Sequence, residues 1–510
     1  MGYARVCAVG LVGLAGHVIT VEAHVADGLP GLTLTGLPDA ALHEARDRVR
    51  AAVVNCGEKW PQRRLTVNLL PAELPKRGSG FDLAIAVVVL AASGVLAAEP
   101  AGGAAMGGAA LIGELGLDGQ VRPVRGVLPM VLAAAKAGVR RVVVPAANVA
   151  EAGLVHGMTV KAAHSLRQVV DFARGTGALV DPSPVAESEP PPGPDLADVV
   201  GQDRGRFALE LAAAGRHHLA LFGPPGAGKT MLAQRLPSIL PPLDDPAALE
   251  VTAVHSIAGT LPAEPRLVRT PPFQAPHHTT SAAALVGGGS GLARPGALSL
   301  AHLGVLFLDE APEFGPSVLN SLRQPLEDGW VTLMRSQGTT RYPARVQLVL
   351  AANPCPCGQA GVATCECTPL VRRRYLSRLS GPLMDRIDLR VQVQPVGAAA
   401  LLGQAAAQET SADVRKRVLA ARQAAADRWQ ALGYPANAEV PGRVLRCPPF
   451  RLPRTVTAEL ATRVDRGTLS ARGYDRVLRI AWSIVDIDGR TSPSRADVDE
   501  AVQLRTGELP

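Results

Sequence analysis

Eight consecutive residues carry the clearest chemistry in the chain. Gly223, Pro224, Pro225, Gly226, Ala227, Gly228, Lys229 and Thr230 read GPPGAGKT and fit the spacing G-x-x-x-x-G-K-[ST]. Small residues let backbone N–H groups close around a phosphate, and the positive end of a following helix faces its charge. In that geometry the Lys229 ammonium reaches the terminal phosphate oxygens, and the Thr230 hydroxyl reaches a Mg²⁺ ion. The apolar run Leu219–Phe222 supplies the strand before the loop, and MLAQRL supplies the helix after it.

Hydrolysis of a bound nucleotide requires carboxylates at a second strand end. GVLFLDE gives an apolar strand, Val305–Leu308, that ends in Asp309 and Glu310. Asp309 would hold Mg²⁺, and Glu310 would orient or deprotonate the attacking water. A third strand, in VQLVLAANP, ends in Asn353, a polar side chain placed to sense the terminal phosphate and position the water. The implied cofactors are ATP and Mg²⁺.

Four of the seven cysteines follow at once, as Cys355, Cys357, Cys365 and Cys367 in a C-x-C-x₇-C-x-C pattern. Four thiolates suffice for a closed tetrahedral Zn²⁺ site; C-x-C is tighter than the usual C-x₂-C, and free reduced thiols are the alternative. A closed site has no open coordination position, so it would brace the loop after Asn353. Cys7, Cys56 and Cys447 stand alone and read as core packing. GWVTLMRSQGTTRYPARVQL has two alternating runs around SQGTT, which predicts a β-hairpin with Arg335 and Arg341 near its tip. LVGGGSGLARPG, residues 285–296, forms a second, glycine-rich loop. Cations on flexible loops suit a tracker of nucleic-acid phosphates, and a solvated hairpin is the competing reading. His277 and His278, in APHHTT, lack a further ligand at metal spacing and read as polar packing or subunit contacts.

These groups need a scaffold, and the chain is long enough to build one. With 510 residues, 47% hydrophobic and 19% charged, it is of globular composition and of a size for several domains. A net charge of +7 is compatible with a polyanionic partner. An odd cysteine count without a disulfide framework points to a reducing cytoplasm. The apolar N-terminal stretch is broken by glycines and runs into VITVEAHV, which alternates like a strand rather than a signal peptide. The run Leu83–Ala98 is short for a membrane span and reads as a buried helix, so no membrane is expected. Residues 1–175 alternate β-rich and Ala-rich runs: RRLTVNLLP and RRVVVP read as strands, and PMVLAAAKAG as a helix closed by Gly138. Residues 176–195 are a Pro-rich acidic linker. Residues 196–396 alternate strands, loops and helices, and residues 397–510 are Ala- and Arg-rich and helical.

GPPGAGKT, GVLFLDE and LVLAANPCPCG, in this order, resemble the AAA+ magnesium-chelatase-like ATPases. FQAPHHTTSAAALVGGGSGLARPGALSLAHLGVLFLDE and YLSRLSGPLMDRIDL narrow the resemblance to the YifB/ComM family, and GLPDAALHEARDRVRAAV and PQRRLTVNLLPAELPKRGSGFDLAIA extend it over nearly the whole chain. The implied architecture is α/β multidomain: a degenerate Lon-like α+β N-terminal domain, an AAA+ P-loop NTPase core of parallel sheet and flanking helices, and a C-terminal helical lid. The resemblance implies a homo-hexameric ring with ATP between subunits. It offers Arg386, in PLMDRIDL, as the arginine reaching a neighbour's phosphoryl group; a helix-end arginine paired to Asp385 or Asp388 is the alternative. By similarity to the MCM helicases, Arg472 is chosen over Arg476 and Arg479 as a second sensor. Gln202, in VVGQ, would line the adenine pocket.

Residues 1–175 resemble the Lon protease domain, and GELGLDGQVRPVRGVLPMVLAAAKAGVRRVVVP tracks its second half. The Lon Ser–Lys pair falls on Gly80, with Ser79 one step before it, and on Leu128; Lys76 and Lys136 are off the pattern. A Lon-like fold without peptidase activity is therefore expected. The implied function is an ATP-driven ring motor of the ComM type that translocates on or remodels DNA. The alternatives are a motor subunit of magnesium chelatase, or a protein-remodelling or transcription-coactivating ATPase.

Overall fold

The computed structural model describes residues 2–36, 40–76, 78–96, 108–182, 193–289, 293–335, 338–358, 365–397 and 408–507. Two β-sheets organise them. The N-terminal sheet has seven strands in the order Gly31–Thr35, Arg64–Leu70, Ala15–Ala26, Gly2–Val12, Ala109–Leu111, Arg141–Pro145 and Thr159–Ala163. The runs RRLTVNLLP and RRVVVP supply two of these strands, the first alternating and the second buried throughout its valines. The helix Asp82–Ala92 is buried at every position, because beyond Asp82 it has no polar side chain to offer water. Its one charge, Asp82, is met by the Arg48 guanidinium at 2.8 Å. Helix Val127–Lys136 covers the opposite face, and Gly138 at φ 84° follows its end.

That second face does not close on itself. Its apolar core takes in Leu249 and Ala253, which lie on helix Asp245–Ala258 beyond the P-loop. The Ser256 hydroxyl donates to the buried Glu151 carboxylate across the same contact. The chain also stays on the N-terminal sheet past residue 175, because Val180 pairs with Ala162. Within the linker, residues 183–192 lie outside the described residues. Its end is anchored, since the Asp195 carboxylate accepts from the Ser411 amide at 3.0 Å.

The second sheet is parallel throughout, in the order Phe273–Gln274, Val305–Leu308, Gln347–Ala352, Leu219–Phe222 and Leu389–Gln392. Parallel strands are covered on both faces, which is why these runs are continuously apolar. Leu219, Leu221, Val305, Phe307, Val349 and Ala351 enter one core. Ala220, Leu306, Leu308, Leu348 and Leu350 enter the other. The first core also receives the C-terminal helices Ser411–Trp429, Arg454–Asp465, Ala471–Ile487 and Arg495–Thr506. Trp429 is fully buried there, with its indole N–H donating to Asn437 at 2.8 Å. Among the described residues no helix is long and apolar enough to cross a membrane.

The strand order has a functional consequence. Gly223, Asp309 and Asn353 each follow the last residue of a strand, and the three strands are adjacent and parallel. The Gly223 backbone and the side chains of Asp309 and Asn353 therefore emerge along one edge of the sheet, where open α/β sheets bind ligands.

Candidate nucleotide site and metal centre

At that edge the helix Lys229–Ile239 begins at Gly228, whose φ of 94° favours glycine, and no side chain caps its first N–H groups. The Lys229 ammonium is buried and donates to the carbonyls of Gly223 at 2.7 Å and Pro224 at 2.8 Å, and to Asn353 Oδ1 at 3.0 Å. Burial pulls its pKa down from the ordinary lysine value, against the opposing charges of Asp309 and Glu310. The Thr230 hydroxyl donates to Asp309 Oδ2 at 2.7 Å, so one hard cation could take both oxygens. Uncapped amides, a buried lysine and this oxygen pair fit a nucleotide phosphate with Mg²⁺. Glu310 sits at φ 50°, one of three non-glycine residues with positive φ among those described. Such strain concentrates at functional sites. Gln202 donates to the Ala227 carbonyl at 2.9 Å and to the Gln394 carbonyl at 2.6 Å, tying the P-loop backbone to the chain beyond the last strand.

One residue here was not expected from the sequence. His278 Nδ1 lies 3.3 Å from Glu310 Oε2, and its ring packs on His277 at 4.0 Å. The sequence offers the pair as zinc ligands or catalytic bases and favours polar packing or a subunit contact; the structure instead sets His278 against the carboxylate of Glu310. The useful signal was the position of APHHTT just after strand Phe273–Gln274, which pairs with the strand that ends before Asp309.

Arg386 and Arg472 do not join this group. Together they line a separate cavity of about 220 Å³, with Glu327, Asp385, Asp475, Arg476 and Arg479, and no P-loop residue lines it. Arg386 ion-pairs with Glu327 and donates to the Pro382 carbonyl at 2.5 Å. Its partner is thus neither Asp385 nor Asp388. Asp388 is instead engaged by Arg476 and lies 3.6 Å from His217. Arg472, in the first turn of helix Ala471–Ile487, is exposed.

The four cysteines do converge. Their sulfur atoms lie within 4.8 Å of one another, with Cys355–Cys357 at 3.3 Å, Cys357–Cys365 at 3.6 Å and Cys355–Cys365 at 3.8 Å. Sulfurs about 2.3 Å from a tetrahedral zinc stand roughly 3.8 Å apart, so the cluster could hold a metal of that kind. Hydrogen bonds, led by the Cys367 backbone, pull the Cys365 thiol down to about 7, toward the thiolate a metal needs. Residues 359–364 between the pairs lie outside the described residues. Cys56 is buried and Cys7 half-buried, but Cys447 is exposed and so is not the core residue its isolation implied.

Strands Trp330–Arg335 and Gly338–Pro343 form the expected hairpin. Its ladder runs out to the pair Arg335–Gly338, so Gly338, Thr339 and Thr340 of SQGTT are strand, and residues 336–337 lie outside the described residues. Arg341 consequently sits mid-ladder opposite Thr332, not at the tip, with its guanidinium 5.6 Å over the Trp330 ring. The Arg335 side chain lies outside the described residues. The glycine-rich loop abuts this hairpin: Gly287–Gly288 pairs with Arg294–Pro295, and the buried Tyr342 hydroxyl donates to the Ala293 carbonyl at 2.5 Å.

In the N-terminal sheet region, Leu128 is fully buried core. A side chain built at Gly80 would meet only Val124, at 3.9 Å, so the backbone there has room for one. The Ser79 hydroxyl is bound to Glu114 and the buried Lys76 ammonium to the Pro71 carbonyl. Lys136 is exposed in the last turn of its helix.

Comparison with known proteins places the chain among relatives. Family models described as "Magnesium chelatase, subunit ChlI", "Subunit ChlI of Mg-chelatase" and "Magnesium chelatase, subunit ChlI C-terminal" match residues 195–401, 21–148 and 408–505. An uncharacterized protein of Mycobacterium tuberculosis is 54% identical over 505 residues, 99% of each chain. YifB of Escherichia coli is 42% identical over 493 residues, 96% of this chain and 94% of its own. The competence protein ComM of Haemophilus influenzae is 39% identical over 498 residues, 97% and 95%. In the N-terminal region, Lon protease 2 of Bacillus subtilis is 33% identical over 157 residues, 29% of this chain and 28% of its own.

Proposed function

The chain belongs to the magnesium-chelatase-like AAA+ ATPase family that includes YifB and ComM, and from that premise we propose that it is an ATP-hydrolysing ring motor acting on DNA. The observation that carries the reading is the split of the chemistry. Lys229, Thr230, Asp309, Glu310 and Asn353 meet at one sheet edge, while Arg386 and Arg472 line a cavity that no P-loop residue reaches. Arginines that stand apart from their own subunit's P-loop would complete the site of a neighbour, in a closed ring such as a hexamer.

Each residue then has a role. Lys229 holds the terminal phosphate oxygens, exchanging the carbonyls it now donates to. Thr230 and Asp309 hold Mg²⁺, which when bound neutralises charge between the phosphates. Glu310 orients the attacking water and accepts its proton, and Asn353 fixes the water and the terminal phosphate. Gln202 keeps the P-loop closed beside the adenine pocket. Arg386 and Arg472 stabilise the transferred phosphoryl group of the adjacent subunit. Cys355, Cys357, Cys365 and Cys367 would hold zinc, which would brace the loop after Asn353.

The hairpin and the glycine-rich loop, joined through Tyr342 and Ala293, form one unit that carries Arg335 and Arg341 to a polyanion. The Haemophilus relative is named a competence protein, which favours DNA as that polymer. The division 1–175, 176–195, 196–396 and 397–510 frames these parts, in a cytoplasmic protein. The N-terminal Lon-like part is not a peptidase, because Leu128 replaces the general base and Ser79 and Lys76 face other partners. Its likeness to Lon also favours one second reading, a motor acting on protein chains.

The deciding experiment measures ATP turnover with and without single-stranded and branched DNA, at low and moderate salt. Stimulation that fades as salt rises is expected, since phosphate contacts release counterions. Lys229→Ala must abolish turnover in every condition. Turnover indifferent to DNA would move the substrate to protein.

A further inference from the structure

The cysteine cluster adjoins the nucleotide site at two points. Asn353, which accepts from Lys229, precedes Cys355 by two residues, a tether of at most about 7 Å. On the far side of Cys357, Gly358 stands at φ 76° and closes a turn with its amide on the Cys355 carbonyl at 3.0 Å. A Cβ at Gly358 would lie 2.5 Å from the ring of Pro225, the third residue of the P-loop. The metal-ligating turn therefore rests directly on the loop that closes around phosphate, and its first ligand is tied to the residue that positions the water. Cys355 itself is fully buried.

We propose that metal occupancy of the four cysteines controls nucleotide affinity, by fixing the turn Cys355–Gly358 against Pro225 and the side chain of Asn353 against Lys229. This rests on reading Gly223–Thr230 as the ATP site. The physical route is ordering. Four thiolates drawn to one ion hold Cys355 and Cys357 to Cys365 and Cys367, and so fix the turn Cys355–Gly358 in place. The P-loop then has a fixed wall, and nucleotide binding no longer bears the cost of ordering it. Without the metal, that cost falls on the nucleotide. Linkage makes the effect reciprocal: whatever factor zinc contributes to nucleotide affinity, nucleotide contributes to zinc affinity.

The full chain, stripped with a zinc-selective chelator and titrated back with Zn²⁺ alone, provides the test. Affinity for a non-hydrolysable ATP analogue with Mg²⁺ is measured in both forms. Zinc affinity is measured by competition with a chromophoric chelator, with and without the analogue. Roughly a tenfold tightening in each direction, by the same factor, is expected. Gly358→Ala keeps all four thiolates and should still take up one zinc, yet bind the analogue more weakly and lose the reciprocity. Zinc uptake with unchanged nucleotide affinity overturns the control while leaving both sites intact. Wild-type coupling that survives unchanged in Gly358→Ala overturns the route through Pro225. No zinc uptake with nucleotide bound normally overturns the metal centre and this proposal, but not the ATP site. No nucleotide binding in any form removes the ATP site on which it rests.

Discussion

The loop at Gly223–Thr230 and the segment Lys76–Asp82 each set a lysine and a hydroxyl side chain at or just before the start of a helix. In the first, the lysine's partners come from its own loop and from the end of another strand, and the threonine's partner comes from the end of a third. In the second, each group is met inside the N-terminal region: Lys76 by the Pro71 carbonyl, Ser79 by Glu114, Asp82 by the Arg48 guanidinium. Burying a charge requires a partner in both cases. The difference lies in what a ligand could displace. Carbonyls and an amide at the mouth of a parallel sheet can give way to phosphate oxygens, whereas a carboxylate clamped by a guanidinium inside a helical pair offers a substrate little to take. Residue types alone do not make a site; convergence from separate strands at an open edge does.

Breaking the first region should cost most where the missing group comes from elsewhere. Arg386→Ala is expected to slow hydrolysis about 10³- to 10⁵-fold with nucleotide affinity kept, the range of an arginine finger supplied in trans. Mixing it with Lys229→Ala protein should partly restore turnover, because each variant supplies what the other lacks. Absence of any recovery would place Arg386 outside the shared site. Glu310→Gln should lower turnover by roughly 10²- to 10⁴-fold, again with binding intact, as expected for loss of a general base. His278→Ala removes the group 3.3 Å from the Glu310 carboxylate, and about a tenfold fall in turnover is expected from misplacing that base. If single-turnover rates in His278→Ala match wild type, the histidine is only a packing group.

Much of this was readable in the residues. The P-loop strand, the strand before Asp309 and Glu310 and the strand before Asn353 appear where apolar runs and their polar ends placed them; the buried helix expected over Leu83–Ala98 appears too, but it spans Asp82–Ala92 and ends at Ser93. Local patterning decides these elements, because a strand buried on both faces has few other readings. The cysteine cluster was legible for the same reason, since its ligands are close in sequence. What stayed hidden depends on distant pairing. His278 reaches Glu310 only because two strands far apart in sequence lie side by side. Arg341 moved from tip to mid-ladder because alternation does not fix where a turn begins. The shared core of the N-terminal sheet with helix Asp245–Ala258 depends on a tertiary contact that no periodicity encodes.

Breaking the second region should leave catalysis untouched and show only as stability. Burial drives the Asp82 carboxyl up to about 6, with Arg48 opposing. A carboxyl whose folded pKa lies above its ordinary 3.8 binds its proton more tightly in the folded state. Its stabilising contribution is therefore complete below about 3.8 and is lost as pH rises through about 6. Amide exchange in helix Asp82–Ala92, corrected for intrinsic rates, should show less protection at pH 7 than at pH 4. Asp82→Asn should flatten that dependence, and an unchanged slope would exclude Asp82 as its source. Ser79→Ala is expected to have the smallest effect of all. It removes one hydroxyl from Glu114, worth about 1 kcal/mol, and should leave ATP turnover and its response to DNA at wild-type values. If Ser79 were a working nucleophile one step from the position the Lon pattern assigns it, the same variant would abolish cleavage of a peptide substrate that the wild type cuts. Wild-type protein that cuts none, together with unaltered turnover in the variant, separates a fold kept for its shape from one kept for its chemistry.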